Sequence, residues 1–261
     1  MARYDFRSPR LYVAAPLAAG ATVPLDGGQA NYLVNVLRLR AGDPVLTFNG
    51  RDGEWRSVLR QPAKRTVALT VEAQTRPQPA VRTLHLLFAP LKHARLDYMV
   101  QKAVEMGVSH LWPVVTQHGQ VSRINLERMQ ANAIEAAEQC GILTLPHIAE
   151  PRALDAAIAA LDAASVVIFC DEEADLRDPV TALASAGVSG LTTPLAVCIG
   201  PEGGFAEGER AALLRRQNVV RLALGPRILR ADTAAVAALA VVQAVLGDWR
   251  GGERRARTSL R

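Results

Sequence analysis

The sequence predicts an α/β protein of two domains, a small β-rich one followed by a larger one built on a parallel sheet. Three observations carry that prediction. Short apolar runs separated by turn signals fill residues 1–73. Strand-like runs alternate with helical patterns over residues 81–249, as a parallel sheet covered on both faces requires. Between them, Gln74-Thr-Arg-Pro-Gln-Pro-Ala80 holds two prolines and no apolar periodicity, which marks residues 74–80 as a linker. The 261 residues are 49% apolar and 21% charged, enough for one large or two ordinary domains, and this excludes a disordered, collagenous or disulfide-stapled chain.

In the first domain, strands are expected at Leu11-Tyr-Val, Pro44-Val-Leu-Thr-Phe, Trp55-Arg-Ser-Val-Leu and Thr66-Val-Ala-Leu-Thr-Val. The turn signals Asp26-Gly-Gly, Ala41-Gly-Asp and Asn49-Gly-Arg-Asp-Gly separate them, and one helix-like segment runs from Gln29 to Leu39. Such a pattern reads as a small β-barrel. In the second domain, strands are expected at 82–89, 110–115, 165–170, 195–199 and 219–224. The helix from Ala94 to Met106 aligns Leu96, Met99, Val100 and Ala103 on one stripe. Further helices are expected at 124–141, 153–161, 207–216 and 232–247, and no internal repeat is evident.

Three cysteines, Cys140, Cys170 and Cys198, form no Cys-x-x-Cys pair, so neither a disulfide framework nor a zinc ribbon is indicated and a reducing cytosol fits best. Arg3, Arg7 and Arg10 before the apolar run Leu11 to Val23 imitate a signal peptide, but Asp5 and Pro16 argue against one. The longest apolar stretch, Thr233 to Gly247, is alanine-rich, contains Gln243 and falls short of a membrane span. Net charge is +5, unevenly spread. Residues 1–76 carry 11 Lys/Arg against 6 Asp/Glu, residues 77–249 carry 14 against 18, and the tail 250–261 has five arginines and one acid. An anionic partner is therefore expected at the first domain, while the tail reads equally as a solubilising end.

Two loops stand out chemically. Ala196-Val-Cys-Ile-Gly-Pro-Glu-Gly-Gly-Phe205 runs an apolar strand straight into a glycine-rich turn before a helix near Glu207. Glycines admit a ligand to the backbone, and ligands of open α/β sheets bind at the carboxyl ends of strands. The pattern is neither a Walker loop nor a dinucleotide fingerprint, and an ordinary tight turn would read the same. Leu222-Ala-Leu-Gly-Pro-Arg-Ile-Leu-Arg-Ala-Asp-Thr233 repeats the arrangement, with Asp232 or Thr233 able to cap the following helix. Two Gly-Pro loops after consecutive strands favour a bound small molecule more than either alone.

Ile199-Gly-Pro-Glu-Gly-Gly-Phe205 followed by Leu224-Gly-Pro-Arg-Ile-Leu-Arg230 resembles the ribosomal RNA small subunit methyltransferase E family, of the SPOUT class. Ala89-Pro-Leu-Lys92, Gln101-Lys-Ala-Val-Glu-Met-Gly107, Glu135-Ala-Ala-Glu-Gln-Cys-Gly141 and Val36-Leu-Arg38 with Gly42-Asp43 extend the likeness over nearly the whole chain. The resemblance implies a PUA-like RNA-binding β-barrel and a SPOUT-type parallel sheet ending in a C-terminal trefoil knot. It also implies a homodimer that transfers a methyl group from S-adenosylmethionine to N3 of a uridine in 16S rRNA near the decoding centre.

On this resemblance Gly200, Glu202, Gly203, Gly204, Leu224, Gly225, Ile228 and Leu229 would surround the cofactor, with Glu202 accepting backbone hydrogen bonds. Uracil N3 must lose a proton before it attacks, so Arg230 is the candidate cation, and Asp232 is a candidate base or orienting carboxylate with a capping role as the alternative. Arg38 and Lys92 are candidates for phosphate contacts, against plain solvated charge. No metal is required for an in-line methyl transfer, and His85, His93, His110, His118 and His147 show no ligand spacing. The stripe Ala234, Ala237, Ala238, Val241, Val242 and Val245 suits a dimer interface or intrachain packing equally.

The chain departs from the family pattern where Ala231-Asp232 replaces Thr-Glu and where Ile142 replaces an arginine. Those departures keep two alternatives open: a SPOUT-like RNA-binding or ribosome-assembly protein without catalysis, and a methyltransferase of another RNA.

Overall fold

The computed structural model describes residues 5, 7–63, 66–120, 123–188 and 192–250. It separates into two compact units, one of residues up to Val81 together with Ile134–Leu145, the other of Arg82–Ala133 with the chain from Pro146 onward. Residues 251–261, most of the arginine-rich tail, lie outside the described residues.

The first unit holds strands β1 (Arg10–Tyr12), β2 (Thr22–Pro24), β3 (Pro44–Phe48), β4 (Glu54–Ala63) and β5 (Thr66–Arg76). They form one sheet in the order β1-β3-β4-β5-β2, antiparallel except between β1 and β3. The ladder runs from β1 to β2, and among the described residues no pairing joins those two edges. Leu33, Val45, Leu59, Leu69 and Val71 make its core. The β3–β4 turn is built by Asn49, whose Oδ1 accepts the backbone N–H of Arg51 and of Asp52.

Two expectations change here. The helix expected over Gln29–Leu39 is a short α1 (Gly27–Asn31), capped by Asp26 in a reciprocal pair with Gln29, and then a π-helical turn over Tyr32–Val36. It stops there because Arg38 turns into the left-handed region, φ 58°. The linker expected from Gln74 begins later, since β5 continues to Arg76. Thr75 Oγ1 and the Arg76 guanidinium both bind Glu54, which pins those residues to β4.

Glu54 is 3% exposed and lies between Arg10 (2.9 Å) and Arg76 (2.7 Å). Burial alone would raise its carboxyl, but the bonds from Arg76, Thr75 and Arg10 hold it below the usual range. Glu54→Gln takes the buried negative charge away from two guanidinium groups and is expected to cost about 3 kcal/mol in urea unfolding. The depressed value means that the wild-type advantage is present above the ordinary carboxylate range and fades as pH falls through the lowered one.

The second unit is strand–helix throughout. It comprises β6 (Leu84–Phe88), α2 (His93–Glu105), β7 (His110–Val115), β8 (His147–Ile148), β9 (Arg152–Ala153), α4 (Leu154–Ala160) and β10 (Val166–Cys170). Then follow α5 (Pro179–Ala184), β11 (Leu195–Ile199), α6 (Glu207–Leu214), β12 (Val219–Leu222) and α7 (Ala231–Val245). Helix α3 (Leu126–Cys140) is divided between the two units. The sheet order is β12-β10-β11-β6-β7-β8, with β9 beside β7, and every pair is parallel. Strands β6 and β11 are buried at every residue, as a sheet covered on both faces demands.

Helix α7 begins one residue earlier than expected. Arg230 is the N-cap with extended backbone, so neither Asp232 nor Thr233 caps the helix. Asp232 sits in the first turn and accepts the N–H of Thr233 at 3.0 Å. Ala231 takes the first helical position because its methyl group is buried. Of the small-residue stripe, Ala238 and Val242 are buried within the chain, and Ala234, Ala237, Val241 and Val245 are half-buried. No described helix is long and apolar enough to cross a membrane.

Candidate functional site

The carboxyl ends of the three neighbouring strands β12, β10 and β11 open onto one cavity of about 610 Å³. Three loops wall it: residues 171–177 after β10, 200–205 after β11 and 223–230 after β12. Ligands of open parallel sheets sit in such crevices.

The β11 loop is held from several sides. The Gly204 N–H closes the turn on the Pro201 carbonyl (2.9 Å), and Gly204 takes φ 71°, which only glycine adopts cheaply. Gly200 lets the Phe205 ring lie against the backbone, since a Cβ there would stand 2.8 Å from Phe205 Cε2. Phe205 in turn packs edge-on against Phe169 of β10, with ring centroids 5.4 Å apart. His118 donates from Nδ1 to the carbonyls of Gly203 (3.1 Å) and Gly204 (3.2 Å), which fixes the proton on that nitrogen. Gly200→Ala is expected to push Phe205 off Phe169 and cost about 1–3 kcal/mol, read as a lower melting temperature.

The carboxylate that accepts backbone hydrogen bonds is Glu209, not Glu202 as expected. Glu209 takes the N–H of Gln117 (2.8 Å) and of Ala206 (2.9 Å). Its position in the first turn of α6 aims it back at the helix start, the N3 half of a capping box, since the N-cap Ala206 has no side-chain acceptor to return the bond. Glu202, exposed on the turn, instead binds Arg95 of α2 at 2.8 Å.

The β12 loop offers its backbone. Among the described residues, the carbonyl groups of residues 225–229 and the N–H groups of all of them but Pro226 find no hydrogen-bond partner and are left to solvent or ligand. Ile228, 90% exposed, stands at the rim.

The β10 loop is anchored electrostatically. Asp171, with its side chain 1% exposed, accepts from Arg210 of α6 and from Arg221 Nε of β12 (2.7 Å). Burial pushes its carboxyl up, but the two guanidinium bonds outweigh that and keep it below the usual range, hence charged. Arg210 also pairs with Glu173 at 3.1 Å and lies 5.7 Å from the Phe169 ring centre. Beside Asp171, burial pushes the Cys170 thiol up to about 12, so it stays neutral and is no nucleophile at neutral pH.

Of the residues singled out from the sequence, Gly200, Glu202, Gly203, Gly204, Leu224, Gly225, Ile228 and Leu229 all line this cavity. Arg230 and Asp232 do not line it but flank Ala231, which does. Lys92 lines a second groove, and Arg38, exposed, belongs to the other compact unit. Sequence reasoning missed Phe169, Asp171, Glu209 and Arg210. The acidic run Asp171-Glu-Glu-Ala-Asp175 after a predicted strand was the available signal for Asp171. Among the described residues no three His, Cys, Asp or Glu side chains are placed to hold a metal. The arrangement suits a ligand of mixed polarity, gripped by backbone groups and flanked by both signs of charge.

Comparison with known proteins agrees with this geometry. Residues 77–243 match a family described as RNA methyltransferase domain, and residues 25–72 match one described as RNA methyltransferase PUA domain. The ribosomal RNA small subunit methyltransferase E of Synechocystis is 32% identical, covering 91% of this chain and 78% of its own. The protein of that name from Rickettsia conorii is 28% identical over 90% of this chain and 94% of its own. Among solved structures, the ribosomal RNA small subunit methyltransferase E of Neisseria gonorrhoeae, bound to S-adenosyl methionine, superposes with a TM-score of 0.81. It is 25% identical and is covered over its whole length by 93% of this chain. A putative methyltransferase of Legionella pneumophila, solved with its cofactor SAM, gives 0.77 at 28% identity, with 91% and 98% of the two chains covered.

Proposed function

The chain belongs to the ribosomal RNA small subunit methyltransferase E family, and on that premise we propose that it methylates N3 of a uridine of 16S rRNA near the decoding centre. Methylation of ribosomal RNA is the activity that its relatives' names carry, and the uridine, its N3 and the location are our reading. The carrying observation is the cavity at the ends of β10, β11 and β12, walled by two Gly-Pro loops, of which the one after β12 has unengaged backbone.

The residues present fit S-adenosylmethionine. The free backbone groups of residues 225–229 can read an adenine edge, the Gly200–Gly204 turn permits close approach, and the exposed Glu172 lines the cavity with a carboxylate suited to a sulfonium. When bound, the cofactor supplies a methyl group on a positively charged sulfur. The chain's own work is then alignment, exclusion of water and stabilisation of the uracil anion. Arg230 and the N-terminal end of the 15-residue α7 place positive potential beside the lining residue Ala231. Such a field lowers the cost of removing the N3 proton. Asp232, in that first turn, orients the helix start or accepts the proton. The transfer needs no metal.

The same reading makes the N-terminal sheet a PUA-like β-barrel, the C-terminal segment a trefoil knot, the protein a cytoplasmic homodimer, and the half-buried Ala234, Ala237, Val241 and Val245 part of its interface. Purified small ribosomal subunits given labelled S-adenosylmethionine should acquire label at one uridine, where reverse transcriptase then stalls because N3 has lost its Watson–Crick donor. Label absent from the RNA, or placed on an atom that leaves reverse transcription unimpeded, would overturn the assignment.

A further inference from the structure

A second concavity of about 330 Å³ lies in the same unit, between the start of α2 and the start of α3. Its floor is apolar: Leu91, Leu96, Ile124 and Met129. Its rim is basic, with Lys92, Arg123 and Arg128. Arg128 is already committed, held in a two-pronged pair by Asp97 (2.6 Å), which Asn132 also binds at 2.8 Å. The side chains of Lys92 and Arg123 are exposed, and neither has a hydrogen-bond or ion-pair partner among the described residues.

Two unpaired cations over an apolar floor match one chemistry: a nucleotide whose base is out of the stack and whose phosphate is on the surface. Single-stranded nucleic acid is bound by this combination, a stacking or apolar platform for the base and a positive track for the backbone. A protein partner would more naturally meet an apolar patch with a mixed polar rim than two lone cations. Helix α2, whose start lines the groove, also reaches the cavity's Gly-Pro turn. Arg95, three residues beyond Lys92, forms the ion pair with Glu202 on the cavity's Gly-Pro turn.

We propose that this groove is a second RNA-binding site, in which Lys92 and Arg123 hold the phosphate of an unpaired nucleotide flanking the target and the apolar floor receives its base. The inference rests on the RNA methyltransferase reading and adds a location for the substrate strand.

The test is the double variant Lys92→Ala/Arg123→Ala of the full chain, with a short single-stranded RNA as probe. Titrations over a range of salt measure RNA affinity, and calorimetry with S-adenosylmethionine measures the cavity independently. The variant should bind RNA at least tenfold more weakly at moderate salt. The slope of log K against log salt should fall by about 1.4, two phosphate contacts at roughly 0.7 each for a single strand. Cofactor affinity should be unchanged, which also shows that the variant is folded. A lone Arg123→Lys change, which keeps both charges, should retain most of the wild-type affinity. Unchanged RNA affinity and salt slope would overturn the groove, as would loss of methylation on intact subunits with undiminished RNA binding, the mark of a protein contact. Failure of the wild-type chain to bind cofactor would instead count against the methyltransferase reading, a distinct result.

Discussion

Asp171→Asn is expected to lower stability by roughly 3 kcal/mol and to weaken cofactor binding at least tenfold. The substitution is nearly isosteric, so no cavity is created, and the loss is electrostatic. Arg210 and Arg221 would both face an amide that offers one acceptor where the carboxylate offered two. Breaking a buried pair by removing one partner costs about 3–5 kcal/mol, and the lower end applies because both guanidinium groups remain partly exposed. The consequence reaches the cavity, since Arg210 belongs to α6, Arg221 to β12 and Asp171 to the loop after β10. One carboxylate thus ties together three of the elements that shape the site. In urea, the midpoint should fall with the slope unchanged. Because the native carboxyl lies below its ordinary value, the wild-type advantage holds above that value, fades as pH falls through the lowered one, and leaves the two proteins alike in strong acid. Glu173→Gln, which breaks an exposed pair to the same arginine, should change stability by less than about 1 kcal/mol. Equal effects of the two substitutions would remove Asp171 from its role as anchor.

The sequence made much of this protein legible, for reasons that also explain what it hid. Strands β3, β6, β7, β10 and β11 fall within a residue or two of expectation because apolar runs bounded by turn residues are a local signal. All eight residues that the family resemblance assigned to the cofactor line one cavity, because the motifs that carry the resemblance are the two loops at the carboxyl ends of β11 and β12. What escaped was pairing across distance. Asp171 finds Arg210 and Arg221 some forty and fifty positions away, and Glu209 reaches Gln117 across ninety-two. The two-residue strands β8 and β9 escaped for the same reason, since they exist only as partners of β7. The Asp232 cap failed for a local cause: the buried Ala231 methyl drew the helix start one residue earlier. Helix α5 could have been found, as Asp178-Pro179 is a cap followed by proline at the first helical position.

Arg230→Ala should reduce kcat for RNA methylation by about 10²–10³ while leaving cofactor affinity within about twofold. The magnitude is that of removing one charge-stabilising donor from a reacting centre. The split follows from position, for Arg230 caps α7 beside the cavity without lining it, so the bound cofactor loses no contact. On the proposed uridine-N3 reaction, what changes is the charge that appears when uracil loses its N3 proton and its two carbonyl oxygens become negative. A cation nearby lowers the pH at which that happens, so the variant's pH–rate profile should have its rising limb displaced to higher pH. Arg230→Lys should recover part of the rate and most of the profile, as it keeps the charge but not the planar fork. A merely structural cap would behave otherwise. Arg230 contributes no side-chain hydrogen bond to the helix start, so a structural role predicts an unshifted profile and at most a change in melting temperature. Asp232→Asn provides the contrasting case. As a base its loss should abolish the rising limb, and as an orienting group it should lower kcat at all pH values equally, with the Thr233 N–H contact retained by the amide oxygen.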